Sequence, residues 1–209
     1  MAVGAALVTA VLVALVLVGE RSGRAGLKVS AKVAASLVFV AVGVIRYSAG
    51  HPYDAWIVLG LVLGALGDLL LALPRGFVAG LAVFLLGHLA YVAAFQAVVP
   101  VRSWGYAPLA PVIVVSGVAV NRLWPYLGRL RFAVLGYVTV ISLMVWGAAG
   151  TLTAGGTAGW HRLAGAVLFY VSDLFVARNR FVEKRFLNRA IGLPLYYAGQ
   201  LILAFTVGT

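Results

Sequence analysis

"LVLGALGDLLLALPRGF", residues 61–77, is an apolar run interrupted by a single carboxylate, Asp68, with no Lys or Arg before Arg75. "GAVLFYVSDLFVARNRF", residues 165–181, repeats the arrangement around Asp173. Apolar runs approaching the ~20 residues that a helix needs to cross a bilayer recur along the chain. Within lipid the backbone must satisfy its own hydrogen bonds, which leaves helices or a closed barrel. Barrel strands alternate apolar and polar residues, and these runs do not, so the segments read as helices.

Composition agrees. The 209-residue chain is 64% hydrophobic and only 10% charged. The expectation is an all-α integral membrane protein, a single polytopic domain over residues 1–209. It would be a bundle of about eight transmembrane helices, at 3–19, 29–45, 55–73, 77–99, 107–120, 130–150, 163–177 and 190–207. Pro74 and Pro100 follow the ends of the third and fourth spans, where they cannot continue a helix. The first span has no basic stretch before it and no small-residue cleavage site after it, so it reads as a retained helix.

The net charge of +11 does not point to nucleic acid, because its distribution follows the spans. The odd-numbered loops carry Arg21, Arg24, Lys28, Arg75, Arg122, Arg129, Arg131, Arg178, Arg180, Lys184, Arg185 and Arg189, against Arg46, Arg102 and Arg162 on the other side. The positive-inside rule puts the basic loops in the cytoplasm and both termini on the non-cytoplasmic side, with a bacterial inner (cell) membrane as the expected location. Trp56, Trp104, Trp124 and Trp160 fall near span ends and read as interfacial anchors. Oligomeric state is left open.

"GLVLGALGDLL" from Gly60 and "GAVLFYVSDLF" from Gly165 each place Asp eight residues after Gly, at an offset of four spans. A duplicated four-helix half in parallel orientation is one reading; chance similarity between apolar helices is the other.

A carboxylate inside a span is expensive and usually faces the bundle interior, where it marks function. At about 1.5 Å per residue, Asp68, Asp173 and Lys32 lie at similar depth from the basic-loop side. Tyr196 and Tyr197 are about two turns in, while His88, Tyr91 and Gln200 lie deeper. These groups could converge on one pocket open toward the cytoplasmic leaflet. The structural alternatives are an Asp68–Lys32 pair, an Asp173–Arg178 pair, and helix-to-helix hydrogen bonds for the Tyr and Gln side chains. Asp54 reads as a solvated cap, and Ser172 as a local partner of Asp173.

Other chemistries fit poorly. The absence of Cys removes disulfides and thiolate sites. There is no Gly-x-Ser-x-Gly motif and no glycine-rich phosphate loop. A zinc site would need ligands the pocket lacks, so neither metal nor cofactor is expected.

The stretch "LGALGDLLLALPRGFVAGLAVFLLGHLAYVAAF" resembles the lysoplasmalogenase-like (YhhN-like) family of multispanning membrane proteins. Further features in order are Lys32, "LMVW" at 143–146, "FYVSD" ending at Asp173, and "YYAGQLI" with Tyr197 and Gln200. The resemblance covers nearly the whole chain. One departure is that Val33 follows Lys32 where the family often has Pro, which keeps Lys28 as the other candidate.

The resemblance implies hydrolysis of the vinyl ether bond of a lysophospholipid, the lysoplasmalogen, to a fatty aldehyde and glycerophosphoethanolamine or glycerophosphocholine. The acid chemistry of that bond suits Asp68 and Asp173 as an acid/base pair, with Lys32, His88, Tyr91, Tyr197 and Gln200 around the substrate. Two carboxyl groups in a low-dielectric site do not both ionise easily, which suits an acid-started reaction. The competing readings are a proton-coupled transporter, an inactive lipid-binding relative and an intramembrane aspartyl protease. The last often shows Gly-x-Gly-Asp, where this chain has Ala65-Leu66-Gly67-Asp68.

Overall fold

A computed structural model describes residues 1–209 as eight long helices joined by short turns, with no strand. They are α1 (Ala2–Arg21), α2 (Ala25–Arg46), α3 (Pro52–Ala72), α4 (Phe77–Val98), α5 (Leu109–Leu123), α6 (Arg131–Gly150), α7 (Gly156–Ala177) and α8 (Phe186–Phe205). α1 to α4, and α5 and α6 taken with their flanking 3-10 turns (Leu109–Tyr126 and Gly128–Ala154), are long and apolar enough to cross a membrane, and the chain is an integral membrane protein. Large apolar side chains on the outer faces, such as Leu7 and Val11 on α1 and Ile113 and Val114 on α5, are exposed. Facing lipid, they carry no penalty.

The helix ends follow from local chemistry. Pro52 opens α3 at a position where its missing N–H is not needed. Leu73 and Val99 are extended because each precedes a proline, and there α3 and α4 stop. α7 ends in a π-helical turn, Arg178–Val182.

α7 begins at Gly156 rather than 163, and α8 at Phe186 rather than 190. Both extra turns carry polar groups that face inward. Arg162 is buried with its guanidinium carbon 4.5 Å from the Tyr53 ring centroid, and Asn188 is buried against the Glu183 carbonyl.

Two local expectations are corrected. Asp54 is not a solvated cap: it is buried and accepts the backbone N–H of Ser48 (3.3 Å) and Gly208 (3.0 Å), clasping the C-terminal residues to the α2–α3 turn. Trp104 is not an interfacial anchor. It is buried, donates its indole N–H to the Val99 carbonyl (2.7 Å), and fills the space over Gly147 and Gly150.

The hairpins α3–α4 and α7–α8 repeat one design. In the first, a Cβ on Gly87 would lie 3.4 Å from the Gly60 carbonyl oxygen; in the second, a Cβ on Gly199 would lie 2.8 Å from the Gly165 carbonyl oxygen. Each crossing therefore brings backbones close at a small residue. Asp68 and Asp173 occupy matching places, four residues before the ends of α3 and α7. The second helix of each half packs on the last helix of the other, α2 on α8 and α6 on α4. α1 also packs on α8, whereas α5 packs mainly on α6 and reaches α7 through Ser116 Oγ and Tyr170 OH, 2.7 Å apart.

Candidate active site

The first acid is held by three side chains. On α3, Asp68 is 3% exposed, and its Oδ1 lies 3.0 Å from Lys32 Nζ. Its Oδ2 accepts Ser36 Oγ at 2.6 Å and Tyr197 OH at 3.2 Å. Lys32 and Ser36 are four residues apart on α2, so they share a face. Lys32 Nζ also donates to the Asp68 backbone carbonyl at 3.1 Å. Lys28 points elsewhere, to Glu20 at 3.3 Å, so Lys32 is the lysine that reaches the acid.

The second acid has different company. On α7, Asp173 is 17% exposed and accepts Tyr137 OH at Oδ2, 2.6 Å away. His88 on α4 places Nε2 3.5 Å from the same oxygen. Arg178 makes no ion pair with it, and Ser172 turns away to donate to the Phe169 carbonyl at 2.7 Å.

The imidazole constrains the proton inventory. His88 Nδ1 lies 2.6 Å from the Phe84 carbonyl, which can only accept, so the hydrogen sits on Nδ1. His88 Nε2 has no hydrogen-bond partner and faces the Asp173 carboxyl, so a proton on the ring or on the carboxyl would relieve the contact of a lone pair with an anion. Asp68, by contrast, already has a cation and two hydroxyl donors.

Both acids line one cavity of about 460 Å³, with Lys32, Tyr137 and Tyr196 also on its wall. Its apolar wall comes from six helices and includes Leu71 on α3, Phe84 on α4, Leu123 on α5, Ile141 on α6, Leu174 on α7 and Leu193 on α8. The volume suits a small amphiphile. At the basic-loop end the lining turns polar, with Asn179, Arg180, Lys184 and Arg189.

His88 and Tyr197 contact the acids from behind this wall rather than lining it. Tyr91 and Gln200 are one layer further in: Tyr91 OH donates to Gln200 Oε1 at 2.6 Å, and Gln200 Nε2 donates to Tyr196 OH at 3.3 Å. That chain stiffens the α4–α8 contact behind Tyr196 instead of facing the cavity. Ser36 and Tyr137, which hold the two acids, were not expected from the sequence. Their only signal there is spacing: Ser36 lies one helical turn from Lys32, and Tyr137 interrupts an apolar span.

The YhhN family model matches residues 23–207. The chain belongs to the YhhN family. Among YhhN relatives, it is 35% identical over 163 residues to the lysoplasmalogenase TMEM86A of Bos taurus, covering 75% of this chain and 66% of that one. The human lysoplasmalogenase TMEM86A is 35% identical over 168 residues, with the same coverages of 75% and 66%. A lysoplasmalogenase of Mycobacterium tuberculosis is 32% identical over 191 residues, 86% of this chain and 68% of that one. The chain thus spans just under two thirds of the length of the mammalian TMEM86A relatives. No solved structure matches it.

Proposed function

We propose that this YhhN-family chain is a membrane-embedded hydrolase that cleaves the vinyl ether bond of lysoplasmalogens, with Asp68 and Asp173 as its acid–base pair. The observation that carries the proposal is the unequal pair of carboxylates on one partly apolar cavity, Asp68 with a lysine and Asp173 with a histidine and a phenol. The lysoplasmalogenase names of the relatives supply the substrate class. The transport alternative is not carried further, since those relatives bear an enzyme name.

The chemistry follows from the pairing. A vinyl ether is electron-rich at the carbon remote from oxygen. Asp173, starting protonated beside His88, protonates that carbon and leaves an oxocarbenium ion. Asp68, ionised beside Lys32, stabilises the cation and takes a proton from the water that adds to it. The hemiacetal then collapses. Asp68 returns its proton to the departing glycerol oxygen while Asp173 accepts the hemiacetal O–H proton. One water is consumed, a fatty aldehyde and a glycerophospho-alcohol leave, and both acids regain their starting states. Lys32 would keep Asp68 anionic, and Tyr137 and Tyr197 would hold the two carboxyl groups in orientation.

The test is aldehyde release from a defined lysoplasmalogen by the purified protein in detergent, beside Asp68→Asn and Asp173→Asn. The wild type is expected to release aldehyde and both variants to lose at least about two orders of magnitude, the ordinary worth of a positioned acid or base. Full turnover in either folded variant would remove that acid from the mechanism. No aldehyde from a folded wild type would end the vinyl ether reading.

A further inference from the structure

A second concavity lies against the acid cavity. It measures about 510 Å³ and is lined by Glu20, Arg21, Asn179, Lys184, Arg185, Phe186 and Arg189. Asn179, Lys184 and Arg189 belong to both walls, so the two spaces adjoin. Loop cations are expected on one side of any membrane bundle. That rule does not account for a concave basic pocket beside a cavity bearing two carboxylates.

The charges there are in excess. Glu20 is shared between Lys28 (3.3 Å) and Arg189 (3.1 Å), and Glu183 is taken by Arg185 at 2.5 Å. Lys184, on both walls, and Arg180, on the acid cavity's wall beside it, have no carboxylate within ion-pair distance. The guanidinium carbon of Arg180 stacks 4.3 Å from the Phe77 ring centroid, which occupies its face and leaves its in-plane N–H donors for an anion. The segment bearing these groups is pinned: Asn179 Oδ1 accepts the Arg185 N–H at 3.2 Å, and Asn188 Nδ2 donates to the Glu183 carbonyl at 2.8 Å. Arg180 follows Asp173 by about 10 Å of helix rise. A glycerol phosphate arm and a long basic side chain together cover that distance.

We infer that the basic end of the acid cavity, where Arg180 and Lys184 stand beside this second concavity, is a phosphate site, which takes the phosphodiester of a single-chain lysophospholipid whose ether end lies between Asp68 and Asp173. The inference rests on the proposed function for its substrate and adds the group that orients it. The alkenyl chain then lies along the apolar wall, and the headgroup beyond the phosphate projects toward water. On this geometry the site selects for the phosphate rather than for ethanolamine or choline.

The experiment separates this inference from the hydrolase reading by measuring binding with lipids that cannot be cleaved. The probes are a saturated 1-O-alkyl-glycerophosphocholine and the matching phosphate-free 1-O-alkylglycerol, in uncharged micelles. The wild type is expected to bind the phospholipid roughly ten- to a hundredfold more tightly, the value of one or two charge-assisted hydrogen bonds. In Arg180→Gln/Lys184→Gln that preference should fall toward unity, and in Arg180→Lys/Lys184→Arg it should be largely retained. An unchanged preference in the Gln variant would overturn the site.

Inorganic phosphate and phosphatidylglycerol vesicles are the competing sources. If Arg180 and Lys184 govern only their binding and not that of the lysolipid, the inference is wrong. A wild type that prefers the phospholipid but releases no aldehyde would end the hydrolase reading and leave the phosphate site. A wild type that releases aldehyde with equal KM for lysoplasmalogen and 1-alkenylglycerol would end the phosphate site alone.

Discussion

Lys32 is the cation that lets Asp68 sit 3% exposed inside the bundle. Removing one partner of a buried ion pair leaves the other uncompensated, a loss of about 3–5 kcal/mol. Lys32→Met is therefore expected to destabilise the protein by that order and to lose activity. Adding Asp68→Asn should restore the stability but not the activity. Unfolding in detergent, read beside aldehyde release, checks both halves, and a Lys32→Met protein as stable and active as the wild type would refute the ion pair's role. The acids and the lysine were legible in the sequence because a charge in a span is costly and must have a reason. The hydroxyls were not. Ser36 and Tyr137 cost little in a helix bundle and serve equally as helix-to-helix hydrogen bonds, so only the fold distinguishes them as partners of Asp68 and Asp173.

At the scale of elements, the two hairpins depend on close crossings. Gly199 lies where a side chain would meet the Gly165 carbonyl at 2.8 Å and the Phe169 backbone nitrogen at 3.1 Å. Backbone cannot yield as a flexible side chain can, so Gly199→Val should destabilise by about 1–3 kcal/mol or more. Gly136, with nothing within 4 Å of a built Cβ, is the control: Gly136→Ala should be neutral to stabilising. Thermal unfolding of the two variants in one detergent tests the contrast, and equal midpoints would argue against a close crossing. The eight helices were legible as apolar runs bounded by Pro, Gly and charge. Their ends were less so at α7 and α8, because Arg162 and Asn188 look like loop residues by type yet are buried, Arg162 over Tyr53 of α3 and Asn188 against the Glu183 carbonyl. Hydropathy reads a residue's chemistry and not the surface it packs on.

Across the whole molecule, each acid is held from both halves. Asp68 receives Ser36 from α2 and Tyr197 from α8, and Asp173 receives Tyr137 from α6 and His88 from α4. The site therefore lies on the seam between α1–α4 and α5–α8. The partners differ: at the offset that carries Asp68 onto Asp173, Lys32 falls on Tyr137, so one acid meets an ammonium and the other a phenol. The seam opens at the basic-loop end, through Arg180, Lys184 and Arg189. We propose, from the charge asymmetry, that this end is cytoplasmic, so that substrate enters from the cytoplasmic leaflet. The chain has no cysteine, so single-cysteine variants report without background. Arg102→Cys should react with a membrane-impermeant maleimide on intact cells. Arg178→Cys should react only after the membrane is opened. The reverse pattern would invert the protein in its membrane and deliver the lysolipid from the opposite leaflet, while leaving the acids, their partners and the cavity as described.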